Sequence, residues 1–451
     1  MKPGQNIKLL EGMKVAILGF DREGRSVLDF ISDHPDYHGA EIWVLDKKET
    51  IALPENIRSR LGKNYLSTLS DFDVVFRSPG VPFMIPEIQK ALKAGVTVSS
   101  ATKLFFDYCP VPIIGVTGTK GKGTTSTLLY NILRAGGFNA FLCGNIGIPA
   151  LDLLPKIVKA HIGGESDGDG GKNSAEPIVV FELSSFQLQD LTCSPHIAVA
   201  VETFPDHQDA HKDLKEYYSA KANIARYQKR SDKIFYFGEN KLSAWIAKHG
   251  AGKKIAVDKK KLGLFEPSDL KVVGAHNYKN AIMAASVARS LDVPDEIIVK
   301  TVKAFRGTEH RLEFVRTIGT IAFYNDSAST IPQTSASAIN SFPGKKVVLI
   351  AGGADKGLDY APLAQTLKKS KTALVVLYGQ NKSKIKKSVI SAGTPIVTTN
   401  TLKEALASAY SHARQLGDTV VVLSPGATSL DMFTNYADRG AQFKALVEKL
   451  K

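Results

Sequence analysis

A lysine and a run of glycines in the middle of the chain have the pattern of a phosphate-binding loop. Residues 111–116 predict a buried strand, residues 118–124 a glycine-rich turn, and residues 126–133 a helix. The glycines would let backbone amides approach phosphate oxygens, and the helix N-terminus adds a favourable dipole. Lys122 would reach the terminal phosphates of a nucleotide as a point charge. The alternative is a tight turn with an incidental lysine, which the flanking strand and helix disfavour.

The loop departs from the usual consensus at two positions. Gly115 stands one residue too far from Gly121, and Gly123 replaces the usual serine or threonine. Either Thr124 or water would then supply the oxygen that this position normally offers to magnesium.

Acidic and histidine residues follow the next strands. Glu182 ends an apolar run at 178–181, and an acid at the carboxyl end of a strand beside a phosphate loop is well placed for magnesium. Residues 206–211 carry two histidines and two acids, which suit either zinc or a single histidine beside magnesium. We favour magnesium, because a phosphate loop requires it and zinc sites often include cysteine. Lys221 lies on a predicted helix at 217–227.

The first 108 residues predict a small α/β domain. Strands are expected at 14–20, 41–45 and 74–76, with a helix at 24–31. Gly19 and Gly24 fit a degraded dinucleotide-binding fingerprint, in which Asp21 replaces the middle glycine. Asp46, after the second strand, suits either a ribose hydroxyl or a helix cap. The turn at 78–80 is either structural or a phosphate contact.

The last third of the chain alternates strands with helices, which predicts a parallel sheet. Strands are expected at 321–324, 347–350, 373–377 and 419–423, and helices near 333–339, 363–368 and 402–415. Polar turns at 325–327, 352–357 and 424–429 follow three of these strands. Because ligands of such sheets bind at the carboxyl ends of the strands, the three turns are expected at one cleft. Lys356 lies in one of them, or is an ordinary surface lysine.

Length and composition agree with three α/β domains, which we place at 1–108, 109–312 and 313–451 of the 451 residues. The net charge of +14 favours small polyanionic substrates over nucleic acid, because the basic runs lack interleaved aromatic residues. Neither a membrane span nor a signal peptide is expected. Three scattered cysteines indicate a reducing, cytoplasmic setting. Residues 163–176 predict a polar surface loop.

Taken together, these pieces resemble the Mur ligase family, the ATP-dependent amide-bond formers of peptidoglycan precursor synthesis. The resemblance covers the whole chain in order. Its carrying motifs are 118–122, 144–147, 182–188, 207–211, 218–221, 276–280, 310–311, 325–327 and 352–357. The segment 423–433 is most similar to the branch of the family that adds D-glutamate to UDP-N-acetylmuramoyl-L-alanine. The Asp-Asn-Pro-Arg motif expected of the diaminopimelate- and lysine-adding branches is absent from the sequence.

The resemblance implies a Rossmann-like N-terminal domain, a central P-loop ATPase domain with a mostly parallel sheet, and a Rossmann-like C-terminal domain. It also implies roles for individual residues. The ATP-binding positions are Gly118, Thr119, Lys120, Gly121, Lys122, Gly123, Thr124, Asn280, Arg311 and Asp326. The positions for the UDP-substrate are Gly19, Asp46, Lys47, Ser78, Gly80, Asn145 and His207. Those for D-glutamate are Thr330, Lys356, Ser429 and Tyr436.

The implied cofactor is Mg²⁺, expected as two ions held by Thr124, Glu182, His207 and Lys221, with Lys221 carbamylated. The expected catalytic residues are Lys122, Glu182, His207, Lys221 and Lys356. ATP would phosphorylate the alanyl carboxylate, and the amine of D-glutamate would attack the resulting acyl phosphate. The expected partners are small molecules only, with neither nucleic acid nor membrane, and the chain is expected to be a monomer.

Several residues depart from the family pattern, and two other functions remain open. Lys120, Gly123, Gln208 and Ala328 replace commoner residues at their positions. One alternative function is that of another ligase of the superfamily, such as a folylpolyglutamate synthetase. The other is a non-catalytic nucleotide-sugar binding protein on the same scaffold.

Overall fold

The computed structural model describes residues 12–144, 148–163, 176–205, 211–258 and 262–451. The described chain divides into two compact units. The first lies within Met1–Leu264 and Lys279–Thr301, and the second lies within Phe265–Tyr278 and Val302–Lys451. The second unit is therefore assembled from two separate stretches of the chain.

The first sheet is parallel and has the strand order β3-β2-β1-β4-β5. Its strands are β1 (Lys14–Leu18), β2 (Glu41–Asp46), β3 (Arg58–Leu61), β4 (Val74–Arg77) and β5 (Thr97–Ser99). The helices with it are α1 (Arg22–Asp33), α2 (Pro86–Lys93) and α3 (Ala101–Tyr108). From β1 the strand order runs outwards in one direction to β2 and β3 and in the other direction to β4 and β5. Ligands of such sheets bind at this switch in strand order, between β1 and β4.

The central sheet is also parallel, with the order β11-β10-β9-β6-β8-β7. Its strands are β6 (Ile113–Thr117), β7 (Ala140–Gly144), β8 (Ile178–Glu182), β9 (Ile197–Ala200), β10 (Lys233–Phe237) and β11 (Lys253–Val257). The helices are α4 (Lys122–Ala135), α5 (Ala150–His161), α6 (Ser185–Leu188), α7 (Leu214–Arg226), α8 (Lys241–Ala247), α9 (Ala275–Arg289) and α10 (Asp295–Ala304). Strand β6 lies between β8 and β9, so the turns after these three strands share one edge.

The third sheet has the order β12-β13-β17-β14-β15-β16. Its strands are β12 (Glu313–Ile318), β13 (Ile321–Asn325), β14 (Lys346–Gly352), β15 (Thr372–Tyr378), β16 (Ile396–Thr398) and β17 (Thr419–Leu423). The helices are α11 (Pro332–Asn340), α12 (Ala361–Lys369), α13 (Lys382–Val389), α14 (Leu402–Leu416) and α15 (Tyr436–Glu448). The four predicted strands pair in parallel, as expected. Strand β12, which was not predicted, adds an antiparallel edge by pairing with β13 through a short turn.

Apolar side chains cover both faces of the third sheet, and one continuous core joins the first two sheets. In that joint core, the ring of Phe105 on α3 packs edge-on against Phe181 on β8, with centroids 5.2 Å apart. No helix in the described ranges is long and apolar enough to cross a membrane. The three cysteines form no disulfide, and only Cys143 is fully buried.

Candidate active site

The glycine-rich turn after β6 adopts backbone conformations that favour glycine. Gly118 and Gly121 have φ angles of +151° and +89°, and a Cβ on Gly118 would lie 2.4 Å from a methyl group of Val201. The amides of Thr119 and Lys120 both donate to the carbonyl of Glu202, at 2.9 and 3.3 Å. Helix α4 begins at Lys122, so its first amides have no acceptor within the helix and point out of its N-terminus.

Two lysines converge on the carbonyl of Gly118. The ammonium of Lys122 lies 3.0 Å from this oxygen and 3.1 Å from the carbonyl oxygen of Thr119. The ammonium of Lys221, on α7, donates to the Gly118 carbonyl at 2.8 Å and lies over the ring of Tyr217. Lys221 is almost fully buried. The turn therefore has two lysine side chains against its backbone, of which Lys122 is the one at the start of α4.

Strand β8 lies next to β6 in the sheet, and its last residue, Glu182, is buried. The hydroxyls of Thr125 and Ser126, on the first turns of α4, are also buried and have no hydrogen-bond partner in the described part of the chain. Carboxylate and hydroxyl oxygens fit Mg²⁺, which prefers oxygen ligands. No cluster of three His, Cys, Asp or Glu side chains occurs among the described residues. The predicted ligand Thr124 is half-buried.

The histidine segment is only partly described. His207 and Asn145 both lie outside the described residues. His211 is buried, and its two ring nitrogens contact Glu216 and Ser185, the latter at 2.9 Å. Burial would raise the pKa of Glu216, but hydrogen bonds from His211 and Gln189 lower it. Both nitrogens of His211 are thus occupied by neighbouring side chains, which removes it as a zinc ligand.

Asn280 lies against the glycine turn. A Cβ built on Gly121 would come 2.2 Å from the Oδ1 atom of Asn280. Asn280 is buried on α9. The structure therefore places a predicted nucleotide-binding residue in contact with the predicted phosphate loop. The neighbouring residue Lys279 pairs with Glu202 at 2.6 Å, which ties α9 to the segment that holds the turn.

At the carboxyl edge of the first sheet, the predicted UDP-site residues lie in the turns after β1, β2 and β4, and hydrogen bonds join these turns. The Ser78 hydroxyl donates to the carbonyl of Gly19 at 2.6 Å. The carboxylate of Asp46 accepts from the amides of Phe20 and Lys48, at 2.6 and 2.8 Å, and is buried. Asp46 therefore shapes the turn after β1, while its neighbour Lys47 is exposed.

A cleft of about 180 Å³ opens between the turn after β4 and the segment after β8. Its lining residues are Glu23, Pro79, Gly80, Pro82, Ser184, Phe186 and Gln187. The Nε2 of Gln187 donates to Oε1 of Glu23 at 2.9 Å. Burial raises the pKa of Glu23, against the lowering effects of that hydrogen bond and of the charge on Arg77. Glu23 and Gln187 were not predicted as site residues, because they lie 164 residues apart in sequence.

In the second unit, the three polar turns come together as the strand alternation predicts. The Ser424 hydroxyl donates to Oδ2 of Asp326 at 2.7 Å, and the amide of Ala354 donates to the carbonyl of Thr428 at 2.9 Å. The Leu312 amide donates to Oδ1 of Asp326 at 3.1 Å. Burial raises the pKa of Asp326 to about 7, although these hydrogen bonds oppose the rise.

The predicted D-glutamate residues surround these turns with different exposures. Ser429 is buried and Thr330 is half-buried, whereas Lys356 and Tyr436 are exposed. The Ser327 hydroxyl donates to the carbonyl of Tyr436 at 2.7 Å, which joins the first turn to the start of α15. The edge of the third sheet thus offers both an exposed cation and an exposed aromatic ring.

A strained segment precedes β12. His310 and Leu312 have φ angles of +62° and +43°, which non-glycine residues rarely adopt and which tend to cluster at functional sites. Burial lowers the pKa of His310, whose Nδ1 lies 2.9 Å from Nδ2 of Asn325. The predicted nucleotide contact Arg311 stands between them and is exposed.

Models of three domain families match the chain. They are the Mur ligase MurD-like N-terminal domain at 13–100, the Mur ligase middle domain at 116–288, and the Mur ligase glutamate ligase domain at 310–426. Two curated relatives carry the name UDP-N-acetylmuramoylalanine--D-glutamate ligase. The protein from Acetivibrio thermocellus is 35% identical over 98% of both chains, and that from Clostridium acetobutylicum is 35% identical over 99% of this chain and 98% of its own.

Solved structures share the fold at low sequence identity. UDP-N-acetylmuramate-alanine ligase MurC from Thermotoga maritima has a TM-score of 0.54 at 19% identity, with 97% of this chain and 100% of that chain covered. Mycobacterium tuberculosis folylpolyglutamate synthase, complexed with ADP, has a TM-score of 0.52 at 12% identity, with 77% of this chain and 93% of that chain covered.

Proposed function

The chain belongs to the Mur ligase family, and from that premise we propose that it adds D-glutamate to UDP-N-acetylmuramoyl-L-alanine at the expense of ATP. The observation that carries the proposal is the convergence of Lys122 and Lys221 on the glycine turn beside Glu182. The 35% identity to D-glutamate ligases along nearly the whole chain supports the choice of substrates.

The chemical problem is that a carboxylate resists attack by an amine. Transfer of the γ-phosphoryl group to the alanyl carboxylate makes an acyl phosphate, whose phosphate is a good leaving group. The D-glutamate amine then attacks the carbonyl carbon, the tetrahedral intermediate expels phosphate, and the amine loses a proton. Three anionic reactants must meet, so catalysis consists mainly of positioning and charge neutralisation.

Lys122 has the leading role in charge neutralisation. In the structure its ammonium is held by the carbonyls of Gly118 and Thr119, on the loop where the phosphates are proposed to bind. A short rotation about its side-chain bonds would bring it onto a phosphate oxygen. The proposed contacts of the phosphates are the amides at the start of α4.

Magnesium fits the oxygen donors around this loop, with Glu182 and a hydroxyl of α4 as the proposed ligands. When bound, it would neutralise phosphate charge. A carbamate on Lys221 would add a further carboxylate. Carbamylation requires an unprotonated amine that is shielded from water, and the burial of Lys221 supplies the shielding.

The other two sites are assigned to the remaining substrates. We place the UDP-sugar at the turns around Gly19 and Ser78 and in the adjoining cleft, which reaches the segment after Glu182. We place D-glutamate at the turns of the third sheet, where Lys356 offers an exposed cation for a carboxylate. We infer a cytoplasmic setting, since ATP and the nucleotide-linked precursor are cytoplasmic metabolites.

The deciding experiment measures ADP release with UDP-N-acetylmuramoyl-L-alanine and different amino acids. We expect turnover with D-glutamate and about a hundredfold less or none with D-alanine or L-lysine, because they lack the second carboxylate that the site is proposed to bind. L-Glutamate should react as poorly, because its inverted stereocentre misdirects the amine when both carboxylates are bound. Turnover with a folate and L-glutamate would instead identify a folylpolyglutamate synthetase. Binding of the UDP-sugar without turnover would identify a non-catalytic binding protein.

A further inference from the structure

A fully buried ion pair joins the first sheet to the segment after β8. Arg77 is the last residue of β4, and Asp190 follows α6, so that 113 residues separate them in sequence. The guanidinium lies 2.9 Å from the Asp190 carboxylate, and the two side chains are 0% and 1% exposed. The ammonium of Lys103, on α3, lies 3.9 Å from the other carboxylate oxygen.

The same guanidinium also holds two backbone carbonyls on opposite sides of the cleft. Nη1 donates to the carbonyl of Val81 at 2.8 Å, and Nη2 donates to the carbonyl of Phe186 at 2.8 Å. Val81 follows Pro79 and Gly80 in the wall from the first sheet. Phe186 itself lines the wall from the central sheet, next to Ser184 and Gln187. One planar cation thus fixes the separation of both walls.

A buried ion pair of this kind adds little net stability. Removing two charges from water costs about as much as their attraction returns, and well-packed apolar replacements are often equally stable. What the pair supplies is geometry, because the guanidinium fork has fixed donor directions. The ring of Phe83 lies 5.7 Å from the Arg77 guanidinium, and the backbone amide of Phe83 donates a hydrogen bond to Oε1 of Gln189 at 3.2 Å.

We propose that Arg77, paired with Asp190, is a positioning residue that sets the width of the UDP-sugar cleft. The proposal rests on the function proposed above for the cleft's occupant. Arg77 contacts both walls through their backbones and is itself excluded from solvent, so it acts through Gly80, Phe186 and Gln187. Disturbing it should weaken binding of the UDP-sugar, while ATP and D-glutamate, whose residues lie elsewhere, bind as before.

The test uses the double variant Arg77→Met/Asp190→Leu in the full chain, which removes both charges of the buried pair together. Lys103 also loses its carboxylate neighbour, but its ammonium is partly exposed and still donates to the carbonyl of Val98 at 3.0 Å. We expect KM for the UDP-sugar to rise about tenfold or more, since sub-ångström displacements of a binding wall are costly. KM for ATP and for D-glutamate should stay within about twofold of wild type. Arg77→Lys keeps the charge but loses the planar guanidinium, so its KM for the UDP-sugar should lie between those of wild type and the double variant.

The matched control is Arg289→Met/Asp295→Leu, which removes an exposed Arg–Asp pair from the same unit and should change none of the three KM values. A uniform change in all three KM values for the Arg77 double variant, or none, would overturn the proposal. Hydrogen exchange gives a second readout that does not need activity. Residues 78–83 and 184–190 should exchange faster in the double variant, and residues 347–352 should not. If wild type shows no D-glutamate-dependent turnover, the proposed function fails, and exchange alone decides the role of Arg77.

Discussion

Gly121 and Asn280 meet so closely that the glycine turn has no room for a side chain. A Cβ on Gly121 would lie 2.2 Å from Oδ1 of Asn280, and the φ angle of Gly121 is +89°. The amide of Asn280 therefore packs directly on the backbone that starts α4. The close approach of these two residues therefore sets both where helix α4 begins and where Asn280, an expected ATP contact, lies.

The substitution Gly121→Ala should accordingly weaken ATP binding. The left-handed backbone alone costs about 1 kcal/mol, and the methyl group must also displace Asn280. We expect KM for ATP to rise about tenfold. Gly95→Ala is the matched control, because Gly95 has a similar φ of +92° with open space around it. An equal KM for ATP in the two variants would contradict the role of this contact.

Lys122→Ala should abolish most turnover. Removing the cation that stabilises the transferring phosphoryl group is expected to lower kcat by about 10³-fold or more, since a comparable charged contact in other phosphoryl transfers has that effect. The measurement is steady-state release of ADP. Lys156→Ala removes an exposed lysine on α5 and should leave the rate unchanged. Near-normal ADP release from the Lys122 variant would refute the assignment.

Lys221 should carry a carbamate when bicarbonate is supplied. Wild-type protein in ¹³C-bicarbonate should give a carbamate carbon signal, and Lys221→Met, which has a side chain of similar length without an amine, should lack it. The Met variant should also lose nearly all activity. Its melting temperature serves as the control for folding. An active enzyme with an unmodified amine, by intact mass in bicarbonate, would exclude the modification.

The stability of the protein should respond to pH through Asp326. Its pKa rises from 3.8 in the unfolded chain to about 7 in the fold, mainly through burial. Between these values the folded state binds the extra proton, so the stabilising contribution present at low pH is lost as the pH rises towards 7. At about 1.4 kcal/mol per pKa unit, the effect is up to ~4 kcal/mol.

Asp326→Asn removes the titration and keeps an acceptor for the Leu312 amide. The variant should therefore gain stability relative to wild type as the pH is raised from 4 to 8, as measured by guanidinium unfolding of the full chain. Asp418→Asn, at an exposed position with a lysine partner, is the control and should show no such trend. A pH-independent difference between Asp326→Asn and wild type would show that burial does not hold the proton there.

The strands that could be predicted from sequence are those buried on both faces. Residues 420–423 and 178–181 are continuous apolar runs, and both lie in internal strands of their sheets, Thr419–Leu423 and Ile178–Glu182. Strand β3 was not predicted, because Arg58–Leu61 reads Arg-Ser-Arg-Leu and lies at a sheet edge, where packing demands few apolar residues. Helix α4 starts earlier than predicted, because the glycine turn caps it directly at Lys122.

For the candidate site, local motifs were informative and long-range partners were not. The glycine turn and the three polar turns could be predicted, because each is a run of glycine or polar residues directly after an apolar strand. The buried role of Asp46 did not follow, since its amide partners depend on how the turn after β1 folds back. Arg77 and Asp190 carry no motif, and only the packing of α6 against the first sheet brings them together.

Because the second unit is built from two separate stretches of the chain, its parts are synthesised at different times. Residues 265–278 leave the ribosome before the remainder of that unit, which begins at residue 302, so they must wait until later residues are made before their partners exist. Val273 in this early stretch ends up packed against the core of the third sheet. A chain released before β17 is synthesised would leave this stretch without its sheet, exposing apolar surface that invites chaperones or proteases.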